Sequence, residues 1–240
     1  MAGLLYKDFI VQRKNIIMIA ISVILITSLN FLAISGEDTD FEFFNLFSPL
    51  IYVFTFSLVG MMQEGLFEGD ERKKWAYYAS ASPLSVYGQV GSKYFFSLII
   101  SIAVLMYSML SNFIVIAIAG EGSSPMILFA FLFYLQLFNR ALEFPFIIRF
   151  GSKSGTKIKS YLFLIVVSIV GIYFLFGDLS IFGSMEEFVE KIMNIMLNQN
   201  YPAWTMIAFG VFSFVSIAAY YISYRISCKL YLRGVEDYAK

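Results

Sequence analysis

The sequence predicts an all-α integral membrane protein with six transmembrane helices, and three observations predict it. The chain is 59% hydrophobic and only 14% charged over 240 residues. A soluble domain carries about 25% charge, so this chain has too little polar surface to cover a water-soluble globule. Its apolar residues fall into six long runs, separated by five connections and flanked by two polar ends. Its 17 Lys and Arg are sorted by position. All but two lie in the segments 7–14, 72–93, 149–159 and 225–240; the alternate connections 36–42, 120–125 and 183–202 hold Lys191 alone, and Arg140 stands inside an apolar run. Positive charge resists translocation, so the basic side reads as cytoplasmic, with both chain ends expected there. The outer side is acidic in turn, with Glu37, Asp38, Asp40, Glu42, Glu121, Asp178, Glu186, Glu187 and Glu190.

Residues 2–15 come first. Leu4, Leu5, Phe9 and Ile10 alternate with Lys7, Asp8, Arg13 and Lys14, as expected of an amphipathic helix lying along the inner interface. A plain charged tail is the alternative. The spans follow at Ile16–Ser35, Phe41–Met62, Tyr94–Ala119, Met126–Ile148, Tyr161–Phe182 and Ala203–Ser227. About 20 residues at about 1.5 Å rise cross a hydrocarbon core of about 30 Å, and each run is long enough. Helix is the expected form because every backbone amide must be satisfied inside its own segment. The alternating segments of about 10 residues that a membrane β-barrel needs are missing. The first span has a basic start and the tripeptide Ala33-Ile34-Ser35, but its apolar run exceeds the roughly 7–15 residues of a signal peptide, so a retained helix is expected.

No connection is long enough for a soluble domain. The longest inner one, 63–93, falls below the roughly 40 residues an independent core needs, so residues 1–240 are read as one transmembrane domain. In the outer connection 183–202, Phe188, Ile192, Ile195 and Met196 mark Met185–Leu197 as a short amphipathic helix resting on the outer surface.

The 63–93 connection is the most informative segment. Glu68, Asp70 and Glu71 precede Arg72, Lys73 and Lys74, and acids at the start complement a helix dipole. Trp75 and Tyr78 add an aromatic face. Ser82-Pro83 ends this helix and starts another, with Ser as cap and Pro at the first helical position, running into the third span through Lys93 and Tyr94. Two short helices with charged and aromatic faces and no core of their own suit docking into another protein. They equally suit an interfacial hairpin on lipid headgroups.

Several chemistries are excluded or weak. The chain has no histidine, the usual proton shuttle and commonest metal ligand, and no metal site is expected. The single cysteine, Cys228, cannot form an intramolecular disulfide and reads as an unreactive thiol. Basic residues sit where orientation demands them, so no nucleic-acid partner is expected. Residues 151–157, Gly-Ser-Lys-Ser-Gly-Thr-Lys, fail the phosphate-loop spacing, which needs four residues between the glycines and then Gly-Lys-Ser/Thr. They read as a flexible basic inner loop, and Gly60, Gly171 and Gly210 as helix-packing positions. In span four, Gln136, Asn139, Arg140 and Glu143 follow at i, i+3, i+4 and i+7 and share a helical face. An unpaired Arg140 in lipid would cost at least about 3 kcal/mol, which names Glu143 as its partner. The pair is either a polar lining or latch of a transport path, or a device that fixes the packing of span four.

Three inner segments then carry a resemblance. The pattern Phe67-x-x-Asp70-Glu71-x-x-x-Trp75-x-x-Tyr78 to Pro83, followed by Ser92-Lys93-Tyr94, resembles the membrane subunits of ABC type-2 exporters. Phe144-Pro145-Phe146-Ile147-Ile148-Arg149-Phe150-Gly151 with Lys153 and Gly155 is similar to the inner end of span four in that family. Leu4-Leu5-Tyr6-Lys7-Asp8-Phe9 is similar to its N-terminal interface helix. The small permeases that export phenol-soluble modulins and other antimicrobial peptides from Gram-positive bacteria are the relatives it resembles. The resemblance covers the first 155 residues; beyond them only size and span count agree.

The resemblance implies that 64–82 is a coupling helix seated in a separate ATP-hydrolysing subunit, a role carried by Asp70, Glu71 and Trp75 within the stretch Glu68, Asp70, Glu71, Trp75, Tyr78 and Pro83. Ala79-Ser80-Ala81-Ser82 departs from the family pattern, which leaves the docking register open to within about a residue. It further implies a permease without catalytic groups of its own, ATP and Mg on the partner ATPase, a second permease subunit, a bacterial cytoplasmic membrane, and export of amphipathic peptides or hydrophobic compounds. The competing functions are an ion-coupled secondary transporter, for which Glu143 is essentially the one intramembrane carboxylate; a membrane-embedded enzyme, for which no acid pair or Ser/Lys dyad is in place; and a non-transporting immunity or scaffold protein.

Overall fold

A computed structural model describes residues 2–35, 41–64, 66–67, 85–119, 126–176 and 203–237. Its elements are the α-helices α1 (Ala2–Ser35), α2 (Phe41–Glu64), α3 (Ser85–Ala119), α4 (Met126–Phe150), α5 (Ser152–Phe176) and α6 (Ala203–Asp237). Among the described residues four stretches are long and apolar enough to cross a membrane: Val86–Ala117, Met126–Phe150, Ser154–Tyr173 and Ala203–Tyr231; α2 contributes the shorter apolar stretch Leu50–Met61.

Successive helices run in opposite directions. The start of α1, the end of α2, the start of α3, the end of α4 and the end of α6 meet in one buried cluster. Leu66, Phe67, Val86, Tyr94, Phe144 and Cys228 belong to it, with Leu5 and Tyr231 packed against it. We call this the basic end. A second cluster, Tyr52, Phe56, Phe129 and Leu132, joins α2 to α4, with the Tyr52 and Phe129 rings edge to face at 4.6 Å. The central helix is α4, which packs most extensively on α6 and also touches α5, α3 and α2; α1 lies on α2 and α3.

The N-terminal residues differ from the expected interface helix. They form one continuous helix with the first apolar run, Ala2–Ser35. No glycine or proline follows Gly3 in that stretch, so nothing in it breaks the helix. The basic stretch 151–157 is likewise no flexible loop. Gly151 takes φ 83°, a left-handed value that suits glycine, and its N–H reaches the Ile147 carbonyl at 2.8 Å, closing α4. The next residue, Ser152, already begins α5. At Gly155 an added Cβ would stand 2.7 Å from Ile147 Cα, so α4 and α5 touch backbone to backbone at this corner.

Interior hydroxyls are satisfied largely by their own helices. Thr27 bonds the Val23 carbonyl at 2.9 Å, Thr55 that of Ile51 at 2.9 Å, Ser101 that of Ser97 at 2.9 Å and Ser216 that of Phe212 at 2.8 Å. Such back-bonding lets serines and threonines sit inside an apolar bundle. On α5, every residue from Tyr161 to Ile169 is exposed. A helix that is apolar all round and uncovered by its own chain needs lipid or another chain against it.

Candidate functional site

Two buried ionic groups stand within this frame, and both lie toward the basic end. The first is built on α4. Arg140 and Glu143, one turn apart, are 1% and 0% exposed. Arg140 Nη1 donates to Glu143 Oε2, and Nη2 donates to the Gly60 carbonyl of α2. The other carboxylate oxygen, Oε1, lies 3.1 Å from Lys159 Nζ of α5. One carboxylate thus faces two cations. Glu143 thus accepts from α4 and faces α5, while Arg140 reaches α2, an arrangement that joins the three helices.

Gly60 is part of this group by virtue of having no side chain. A Cβ there would meet Arg140 Nη2 at 3.0 Å. Gly171 and Gly210, expected as packing positions, have nothing within 4 Å of an added Cβ among the described residues. Gln136 lies two turns before Glu143 and is buried, and neither amide atom has a hydrogen-bond partner among the described residues. Asn139 departs from the shared face and is exposed. At about 100° per residue, it sits roughly 60° to one side of Gln136 whereas Arg140 sits on the other, enough to turn it out of the interior.

The second group lies between residues 66–67 and the start of α3, the described residues on either side of 68–84. Lys93 near the start of α3 is 5% exposed and Asp8 of α1 is 2% exposed. Lys93 Nζ donates to Asp8 Oδ1 at 3.2 Å and to the Leu66 carbonyl at 2.6 Å. Ser92 Oγ donates to Asp8 Oδ2 at 3.2 Å. The ammonium also stands 5.5 Å from the centre of the Phe67 ring, within cation–π range. Lys7 approaches the same carboxylate at 3.6 Å from a more exposed position.

Aromatic rings connect the two groups. Phe67 meets Phe144 edge to face at 5.1 Å, and Tyr94 meets Phe144 at 4.9 Å, Tyr220 at 5.1 Å and Tyr224 at 5.6 Å. The Tyr94 hydroxyl shares hydrogen bonds of 2.7 Å with both Ser223 and Ser227, and Tyr220 donates to the Tyr94 carbonyl at 2.7 Å. Phe144 directly follows Glu143, so the ring chain runs from Phe67 to the charged centre of α4 and across to α6.

An apolar cavity of about 240 Å³ lies among α1, α2 and α3, lined by Ile16, Val23, Val59, Ile100, Val104 and Tyr107. The Tyr107 hydroxyl is engaged with Thr27 at 2.6 Å. Ligand clefts for drug-sized molecules run from about 300 to 1,000 Å³, so this cavity is too small for a peptide.

Of the residues singled out in the sequence, Arg140 and Glu143 come together, Gln136 is buried on the same helix, and Asn139 is exposed. Glu68, Asp70, Glu71, Trp75, Tyr78 and Pro83 lie outside the described residues, as does the 183–202 connection. Lys159, Gly60 and the Asp8–Lys93 pair were missed as partners. Lys159 and Lys93 read as orientation charges in the sequence, and the carbonyls they and Arg140 approach have no sequence signal. The one available hint was that Asp8, Ser92 and Lys93 fall inside the quoted motifs.

A protein-family model described as ABC-2 family transporter protein matches residues 3–232. No curated protein and no solved structure matches the chain.

Proposed function

The chain belongs to the ABC-2 transporter family and is a multi-pass membrane permease component of an ABC transporter; on that premise we propose that it is the permease of an ATP-driven exporter. The cargo in this reading is an amphipathic peptide, with hydrophobic compounds as the other class, moved out across a bacterial cytoplasmic membrane. Membership in the family brings association with an ABC ATPase. ATP and Mg belong to that partner, because residues 151–157 lack phosphate-loop spacing and form a helix corner.

In this reading all six helices cross the membrane with the basic end in the cytoplasm, as the charge distribution favours. Two copies enclose the cargo path between them. Loop 68–84 seats in the ATPase through Glu68, Asp70, Glu71, Trp75, Tyr78 and Pro83. The observation that carries the reading is the anchoring of both flanks of that loop. Leu66 and Phe67 before it, and Val86, Val90 and Lys93 after it, are buried at the basic end, in contact with α1 and α4. Force applied to a loop so rooted reaches the bundle. In this reading peptides come first among cargoes, as the resemblance of the inner-segment motifs implies.

The test is capture. The folded chain, purified in lipid from its host membrane, is expected to retain a subunit bearing a phosphate-binding loop and ATPase activity. Glu71→Ala with Trp75→Ala is expected to lose that subunit while the permease stays folded. Inverted vesicles holding the complex are expected to accumulate a fluorescent amphipathic helical peptide only with ATP. A folded wild-type chain that binds no ATPase would defeat the exporter reading.

A further inference from the structure

We infer that Asp8 and Lys93 form the joint through which movement of loop 68–84 is delivered to α1, which makes both of them positioning residues for ATP-driven transport; the inference rests on the exporter reading. A lysine ammonium so thoroughly buried is an expensive way to fill space, since an apolar side chain would pack the same volume without desolvating a charge. What the ammonium adds is direction. Its bonds gather three segments at one atom: the Leu66 carbonyl just before the loop, Lys93 itself just after it, and the Asp8 carboxylate on α1. Ser92 holds the second carboxylate oxygen and so fixes the orientation of the carboxylate.

Apolar contacts tolerate sliding, whereas a buried ion pair does not, because displacement leaves a charge unpaired in a low-dielectric interior. The two ends of the loop therefore cannot shift against α1 independently. Beyond Asp8, α1 continues without a break to Ser35. A displacement delivered at Asp8 consequently tilts or rotates a single rod that lies along α2 and α3 and forms one wall of the apolar cavity. Lys7, more exposed and 3.6 Å from Asp8, is the looser arm of the joint.

The test uses the permease with its captured ATPase in lipid nanodiscs, and reads hydrogen exchange without nucleotide and with ATP plus vanadate. In the wild-type complex, amides in both 64–93 and 2–15 are expected to change their exchange with nucleotide. The variant Asp8→Leu with Lys93→Met replaces the pair by apolar side chains, a change that a buried pair often tolerates for folding. It is expected to keep the ATPase and the nucleotide-dependent change in 64–93, and to lose the change in 2–15. Asp8→Asn, nearly isosteric, is the second variant should the double one fail to assemble, with the same loss expected. If either folded variant retains the wild-type change in 2–15, or if the wild type changes in 64–93 but not in 2–15, the joint is a packing element only and the inference falls. If the wild type binds no ATPase, or shows no change in 64–93, the exporter reading falls and takes the inference with it.

Discussion

Lys159 Nζ stands 3.1 Å from Glu143 Oε1 while Arg140 holds Oε2, so a single buried carboxylate ties the first turns of α5 to the middle of α4. Arg140 extends the tie to α2 through the Gly60 carbonyl. Glu143 is therefore the shared anion of a three-helix junction, and the two cations around it depend on its charge.

Glu143→Gln keeps the shape of the side chain and removes the charge. It takes from Arg140, 1% exposed, and from Lys159 the charge of the carboxylate they share. Breaking a buried pair by neutralising one partner costs about 3–5 kcal/mol, and that loss is the expected outcome, read as thermal unfolding in detergent. Arg140→Leu with Glu143→Leu removes both charges and is expected to cost distinctly less. Near-normal assembly and transport in that double variant would show that the pair fixes packing and takes no part in the transport cycle.

Gly155→Ala is expected to destabilise by about 1–3 kcal/mol, the range for overpacking a filled site. The added Cβ would stand 2.7 Å from the backbone of Ile147, and backbone cannot yield as a flexible side chain can. Gly171→Ala and Gly210→Ala place a methyl on helices where no described residue lies within 4 Å, and are expected to be neutral or to gain up to about 1 kcal/mol of helix propensity. A melting-temperature series of the three variants checks the contrast; equal losses at all three positions would contradict the α4–α5 contact.

That contrast also marks what the sequence could convey. Apolar runs and sorted charge predict a helical membrane bundle, because hydrophobic length and orientation are properties of composition along the chain. Arg140 and Glu143 were legible for the same reason, since an intramembrane charge needs a partner and helical spacing offers one nearby. Lys159, Gly60 and Asp8 were not legible, because their roles arise where helices far apart in sequence approach. The three glycines looked alike as packing positions, and only the approach of Arg140 separates Gly60 from Gly171 and Gly210. The continuous α1 was missed because amphipathic patterning in 2–15 suggests a separate interfacial element, while the absence of any breaker before Ser35 decides the matter.

Tyr94→Phe removes the hydroxyl that meets Ser223 and Ser227 at 2.7 Å each and keeps the ring among Phe144, Tyr220 and Tyr224. Both serines can turn back to carbonyls of their own helix. The expected loss is therefore modest, about 1–2 kcal/mol. Tyr94→Ala also removes a ring that is 4% exposed and is expected to cost about 3–5 kcal/mol. Urea or thermal unfolding of the pair separates the hydroxyl from the ring; equal losses would mean that the hydroxyl, not the packing, joins α3 to α6.

Gly60→Ala tests whether α2 and α4 are joined at the Arg140 guanidinium. The methyl would meet Nη2 at 3.0 Å, so the guanidinium must shift by a few tenths of an ångström, and with it the bond to the Gly60 carbonyl. Because Nη1 of the same group holds Glu143, the shift strains both contacts at once. A loss of about 1 kcal/mol is expected, opposite in sign to the gain that helix propensity alone would give for alanine over glycine. In an Arg140→Leu, Glu143→Leu background the obstructing atom is gone, and Gly60→Ala is expected to become neutral or stabilising. The difference between the two backgrounds is the coupling energy, about 0.5–3 kcal/mol for groups in direct contact. Additive effects would place Gly60 and Arg140 apart. The measurement bears on function because α2 ends at Glu64, directly before the loop neck at Leu66 and Phe67. A coupling energy of that size means that the position of α2 is set by the charged centre of α4, so that motion at the neck cannot occur without loading the Arg140–Glu143–Lys159 junction.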